Sequence, residues 1–319
     1  MKAMLNKLIK SGLFLLLFTL ILLYPQLSLY YAAVGLKLWF ERMVPTLLPF
    51  MILSGIMVRQ NLTEGFAGIL YPVLRPLFKI SRNCTYCLLL GFLCGFPMGA
   101  RTVAELYERK RLNKREAEFL LAFCNNIGPV YYISFLLPVT GLSSKGRLPF
   151  YLFGMYGIPL LYGLFLRYTG FLLPKGCFSL PETGKRSSHP EPEERFPISL
   201  DNAMQSGITG ITTLGGYMIL FNLLNLVPHA LNLFFCLSLP EKWLAVTNCM
   251  LEITSGISRL GTSSTAVLIL LPLGGLSCIF QTASMTKHTD LSLPRYLMHK
   301  SIQTVLTAGY YFLLPFFLL

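Results

Sequence analysis

Apolar runs follow one another along nearly the whole chain, and their lengths and interruptions predict its elements. The first covers residues 9–31, and Lys2, Lys7 and Lys10 precede its apolar core at 13–24. Its core ends in Tyr24-Pro25-Gln26 with no small-residue cleavage site, so it reads as a retained span. A second helix begins with mixed character at 36–42, where Lys37, Glu41 and Arg42 sit among apolar neighbours, and continues over 44–58. Pro45 and Pro49 fall in the first turns of that continuation, where proline costs least. Residues 66–80 are short, split by Pro72 and Pro76, and carry Arg75. A span takes roughly 20 apolar residues, so this segment suits an interfacial or re-entrant helix.

The next stretch organises the rest. Residues 84–100 place Gly91, Gly95, Pro97 and Gly99 within nine positions, directly before Arg101. A helical hairpin that enters and leaves by one side is expected there. Residues 102–119 are helical by period, with a basic face whose Arg109, Lys110, Arg111, Lys114 and Arg115 belong on the cytoplasmic side by the charge bias. The apolar run 117–138 is then broken by Asn125-Asn126-Ile127-Gly128-Pro129. Residues 150–173 form an ordinary span, and 175–200 read as a flexible polar linker.

After the linker the pattern partly repeats. TLLPFMIL at 46–53 and TLGGYMIL at 213–220 share five of eight positions. Weaker parallels link the run after Gly91 with that after Gly274, and the Arg75 segment with LEITSGISRL at 251–260. The expected fold is all-α: a polytopic integral membrane protein with two repeat halves, re-entrant helical hairpins and broken transmembrane helices. Residues 1–174 form the first half, with the hairpin at 84–100 and the broken helix at 117–138. Residues 201–319 form the second, with a short helix at 243–260 and a hairpin at 265–285. Non-helical backbone is tolerated in a bilayer only where protein buries it or a wet cavity receives it, so such breaks point to a transporter site near the midplane.

Composition agrees: of 319 residues 54% are hydrophobic and 13% charged, and the mean hydropathy is +0.58. Soluble domains carry about 25% charged residues. The formal charge of +13 fits the positive-inside bias and anionic lipid, and leaves open that some of it draws in an anionic solute. Basic residues cap apolar spans without interleaved aromatics, which argues against nucleic acid. The eight cysteines sit mostly in apolar runs, and Cys84-x-x-Cys87 has no second pair, so no metal is assigned. No cofactor motif, P-loop or nucleophile–base spacing is present, and a non-enzymatic role is expected.

Glu252 is an acid in an apolar context beside Thr254 and Ser255, either buried and functional, with a proton-coupling role, or at the interface beside Arg259. Asn125 and Asn126 precede Gly128-Pro129 where a helix must lose backbone bonds; they either meet a solute or bond a neighbouring helix. Arg101 offers a fork for carboxylates or anchors the boundary. Gln281 faces the same cavity from the second hairpin or packs in the core.

The runs GFPMGARTVAEL, EAEFLLAFCNNIGP, LEITSGI and GGLSCIFQ together resemble the YlbJ family of sporulation integral membrane proteins. That family groups with nucleoside-recognition Gate-domain proteins and looks akin to concentrative nucleoside transporters. The resemblance runs from about Val44 to the C-terminus. It implies an endospore-forming bacterium, a place in the outer forespore membrane, and movement of dipicolinic acid toward the forespore. By matching motifs it implicates Gly95, Pro97, Gly99 and Arg101, then Asn125, Gly128 and Pro129, then Glu252 and Gly256. Met98 departs from the small polar residue that solute contact would favour. The expected partners are a small anionic solute and the lipid bilayer, and a homo-oligomer is compatible. A nucleoside permease and a non-transporting sporulation scaffold are the competing readings.

Overall fold

The computed structural model describes residues 2–139, 147–170, 194–235, 239–261 and 264–317. Among the described residues every regular element is helical. Prolines open many of them, because the first turn has no use for the missing N–H. The helix α1 (Lys2–Leu23) stops at Tyr24, and Pro25 starts α2 (Pro25–Leu38). The residue before a proline is pushed out of the α region, and Tyr24 is (φ −124°, ψ 62°). The single span expected over 9–31 is therefore two helices.

A π-helical turn (Trp39–Met43) carries α2 into α3 (Val44–Arg59), and the continuous rod Pro25–Arg59 is long and apolar enough to cross a membrane. Two short helices follow, α4 (Thr63–Ala67) and α5 (Tyr71–Phe78), where no span was expected. Ser81 then caps α6 (Arg82–Leu93), and α7 (Met98–Glu108) follows the Gly95 break. The helix expected over 102–119 is interrupted. α7 ends at Glu108, and an Asn113–Glu116 capping box starts α8 (Lys114–Leu121), each side chain bonding the other's backbone N–H.

Residues 122–128 are non-helical, and Pro129 opens α9 (Pro129–Tyr131), continued through a π turn into α10 (Leu137–Val139). The helix α11 (Leu148–Leu152) runs through another π turn into α12 (Ile158–Thr169), a second candidate span over Leu148–Thr169. The expected linker lies outside the described residues up to 193, and its last residues already belong to α13 (Phe196–Leu223). With α14 (Leu226–Phe234), α13 makes the third candidate span. Then come α15 (Glu241–Leu251), α16 (Ile253–Leu260), α17 (Ser264–Leu270), α18 (Gly275–Met285) and α19 (Leu293–Phe317). Residues Ala266–Met285 form the fourth candidate span.

Large apolar side chains on α1 such as Phe14, Leu15, Phe18 and Leu22 are exposed, as a lipid-facing surface requires. The long α13 packs along α2 and α3. Gly215 makes room for the Trp39 ring there, and the indole N–H donates to the Ile211 carbonyl at 2.8 Å. One apolar core joins α3 to α8 with α12 and α13, and a second joins α9–α11 to α15–α19. Cys84 and Cys87 are buried, free thiols in the first core.

Candidate functional site

The two interruptions in the first half touch each other. Gly95 takes φ +85°, and a Cβ placed there would stand 2.2 Å from the Gly128 nitrogen. A Cβ on Gly91 would meet the Cys124 carbonyl oxygen at 2.2 Å, and one on Gly99 the Asn125 Cα at 3.2 Å. Backbone lies on backbone at these three positions, an approach that a side chain would prevent. Pro97 sits at the N-cap of α7, after a cis peptide bond.

A comparable junction exists later in the chain. Glu252 is extended (φ −140°, ψ 111°) and separates α15 from α16. Its carboxylate accepts from the Ser255 N–H at 2.8 Å, the Thr254 hydroxyl at 2.7 Å and the Asn222 amide at 3.4 Å. Gly275 packs on this break, since its Cβ would lie 2.8 Å from the Cys249 carbonyl and 3.3 Å from the Ile253 nitrogen. Neighbouring Gly274 faces the Phe96 ring, joining the two junctions.

Broken helices leave carbonyls that must be satisfied. The α19 helix supplies the donors. Lys300, 2% exposed, donates to the Asn125 carbonyl at 2.8 Å and to Asn126 Oδ1 at 3.0 Å, with its ammonium 4.6 Å from the Phe96 ring centroid. Gln303 donates to the Ala122 carbonyl. The Asn125 amide donates to Thr282 Oγ1 at 2.9 Å and to the Tyr296 hydroxyl at 3.2 Å.

Against these junctions opens a cavity of about 320 Å³. Its polar lining includes Glu252, Thr254, Gln281 and Tyr131, its walls include Phe96, Phe135 and Gly128, and Glu41, Arg42 and Thr46 contribute from the rod Pro25–Arg59. Mostly apolar walls with a few converging polar groups, at about 300–1,000 Å³, characterise small-molecule sites.

Of the expected site residues, Gly128, Glu252, Thr254 and Gln281 line this cavity. Gly95 and Gly99 form the backbone junction behind it, and Ser255 holds Glu252. Asn125 and Asn126 are buried as anchors for neighbouring helices. Glu252 is not an interface acid, being 1% exposed, and the Arg259 guanidinium turns to the Tyr31 ring at 4.9 Å. Arg101 goes elsewhere. It lines a second cavity of about 440 Å³ with Arg59, Glu105, Ser206 and Lys287. Lys300, Phe96 and Tyr131 were missed, although Lys300 stands in an apolar helix and carries the same signal as Glu252.

The basic loop is tied down at its edge. The Asp290 carboxylate accepts from the Lys114 ammonium at 2.6 Å and from the Tyr107 hydroxyl at 2.7 Å. Those two bonds hold the Asp290 carboxyl below its ordinary 3.8.

Residues 40–175 match the family model Gate, described as nucleoside recognition. The chain is also 25% identical over 340 residues to the sporulation integral membrane protein YlbJ of Bacillus subtilis (strain 168), covering 97% of this chain and 83% of that protein. No solved structure matches. The resemblance drawn from the motifs therefore holds, and the apolar helices make this chain an integral membrane protein.

Proposed function

We propose, for a chain matching the Gate family over residues 40–175, that it carries a small planar solute across the membrane by way of the central cavity. The observation that carries this reading is the meeting of four helix interruptions, at Gly95, Asn125–Gly128, Glu252 and Gly274–Gly275, beside one polar-floored cavity. We read the α6–α7 and α17–α18 breaks as the tips of two re-entrant hairpins, one in each repeat half. Each tip lies on the interrupted helix of its own half, Gly95 on Gly128 and Gly275 on Ile253, and that likeness supports the repeat. Carriers place their sites where discontinuous helices meet. We read the chain as a carrier and not as an enzyme.

Dipicolinic acid is the solute we favour, in the outer forespore membrane. The support is the relative's sporulation name and the shape of the cavity. A flat ring suits the Phe96, Tyr131 and Phe135 walls, and carboxyl oxygens suit the Gln281 amide and, toward the rim, Arg42. Glu252 opposes a dianion at the same place, and we assign this buried acid the proton-coupling role of the carrier. The rival solute is a nucleoside. The family description favours it, and Glu252 with Gln281 also suits hydroxyls and a base edge.

Uptake into proteoliposomes, run in parallel with labelled dipicolinate and uridine, separates the readings. Saturable uptake of one solute, lost in Gln281→Leu and Glu252→Gln, is expected. Folded protein that takes up neither would leave the scaffold reading and end the carrier one.

A further inference from the structure

The second cavity shares no lining residue with the first but lies along the same helices. Residues 205–213 of α13 line it, and Leu214 and Met218, just beyond, line the central cavity. On α18 the order is the same, with Cys278 and Gln281 at the centre and Ser284 and Met285 below. It lies at the end of the bundle where the basic loop is.

Arg101 is its most informative group. The side chain is 6% exposed, Nη2 donates to Ser206 Oγ at 2.9 Å, and Nη1 has no partner. Nη1 lies over Gly210, where a Cβ would come within 2.7 Å of it. The missing side chain at 210 is what leaves that N–H room beside the cavity. An unspent donor on a buried guanidinium is costly, so its place on a hollow of about 440 Å³ calls for an acceptor.

The surrounding charges are largely committed to one another. Arg59 holds Glu105 at 3.1 Å, and Arg109 meets Glu194 at 3.5 Å. Lys287 stands exposed at the rim, and Glu108 is the remaining carboxylate of the lining. Four cations, Arg59, Arg101, Arg109 and Lys287, thus face three acids, Glu105, Glu108 and Glu194, which leaves one positive charge for an incoming ligand. Thr209, Thr213 and Ser284 add hydroxyls to the wall.

We infer that this cavity is a second binding site, for a small oxyanion, with one carboxylate or phosphate group held on Arg101 and Ser206. The inference does not rest on the transport reading, because it concerns binding at a separate cavity. A planar guanidinium fork matches such a group, and the charge-assisted bond would be among the stronger contacts available.

The test uses the full chain in nanodiscs of phosphatidylcholine, titrated at constant ionic strength with inorganic phosphate or malonate in place of chloride. The readout is the thermal midpoint, which a ligand of the folded state raises in a saturable way. A parallel series replaces part of the lipid with phosphatidylglycerol and uses no added anion. Saturable stabilisation by any one probe is expected, and a response confined to phosphatidylglycerol identifies the oxyanion as a lipid headgroup. Arg101→Gln should weaken the response at least roughly tenfold. Gly210→Ala, which displaces Nη1 and leaves the charge in place, should weaken it too and carries the test if Arg101→Gln does not fold. Gly216→Ala, with nothing within 4 Å of its Cβ, should leave it intact. No saturable response to any probe, or an undiminished one in both Arg101→Gln and Gly210→Ala, would overturn the assignment.

Discussion

Gly95→Ala is the sharpest perturbation of the junction between the two broken helices. Its φ of +85° lies in the left-handed region, where an L side chain costs about 1–2 kcal/mol. The new methyl would stand 2.2 Å from the Gly128 nitrogen and 2.8 Å from its Cα. Both are backbone atoms in a buried segment, so no rotamer change relieves the clash, and overpacking of this kind costs about 1–3 kcal/mol. Stiffening of the unfolded chain returns at most about 1 kcal/mol. The net expectation is a loss of about 1–5 kcal/mol, combining these ranges. A mixed-micelle unfolding titration measures it, with Gly216→Ala as the unhindered control. If Gly95→Ala unfolds within about 0.5 kcal/mol of the parent, as an ordinary surface change does, the close contact of the two breaks is wrong.

Two further outcomes follow from the same geometry. Lys300→Met leaves the Asn125 carbonyl and Asn126 Oδ1 without their donor, each an unmet group worth about 1–3 kcal/mol, and should lower the unfolding midpoint; an unchanged midpoint would show that the ammonium does not hold the break. Asp290→Asn should destabilise the protein at pH 7 relative to the parent, because a carboxyl held below its ordinary 3.8 contributes above that value and loses its contribution as pH falls through the depressed one. Midpoints compared from pH 7 downward should converge in acid, and a difference that persists at the lowest pH would refute the Lys114 and Tyr107 bonds as its source.

The interruptions were legible in the sequence because glycine, proline and asparagine act on their own neighbours. Gly95 and Gly128 could each be flagged from a few adjacent residues, whereas Glu252 stood out only as an acid among apolar neighbours, and its break divides the short helix expected over 243–260. What satisfies those breaks was not legible. The donor to Asn125 is Lys300, on the last helix, and nothing local to Asn125 names it. Arg101 misled for the opposite reason. Its position directly after the glycine-rich motif put it near the end of the expected hairpin, but it lies one turn into α7, and the 3.6-residue period points it at Ser206 on α13 instead. Helix ends behaved in the same divided way. Pro129 marked a true start, whereas the start at Pro25 lay inside the one span expected over 9–31 and the stop of α7 at Glu108 was hidden inside a continuous amphipathic period.

The central claim is that the hollow beside the broken helices receives the solute, and two native thiols report on it. Cys94 and Cys278 line that cavity, while Cys84 and Cys87 lie in the apolar core. Mass spectrometry of the membrane-embedded chain, after timed exposure to a small methanethiosulfonate reagent, reads each site separately. Saturating solute should slow modification of Cys94 and Cys278 together, with a half-effect at the concentration that half-saturates uptake. Modification of both at unchanged rates under solute that is being transported would place the passage elsewhere and contradict the claim.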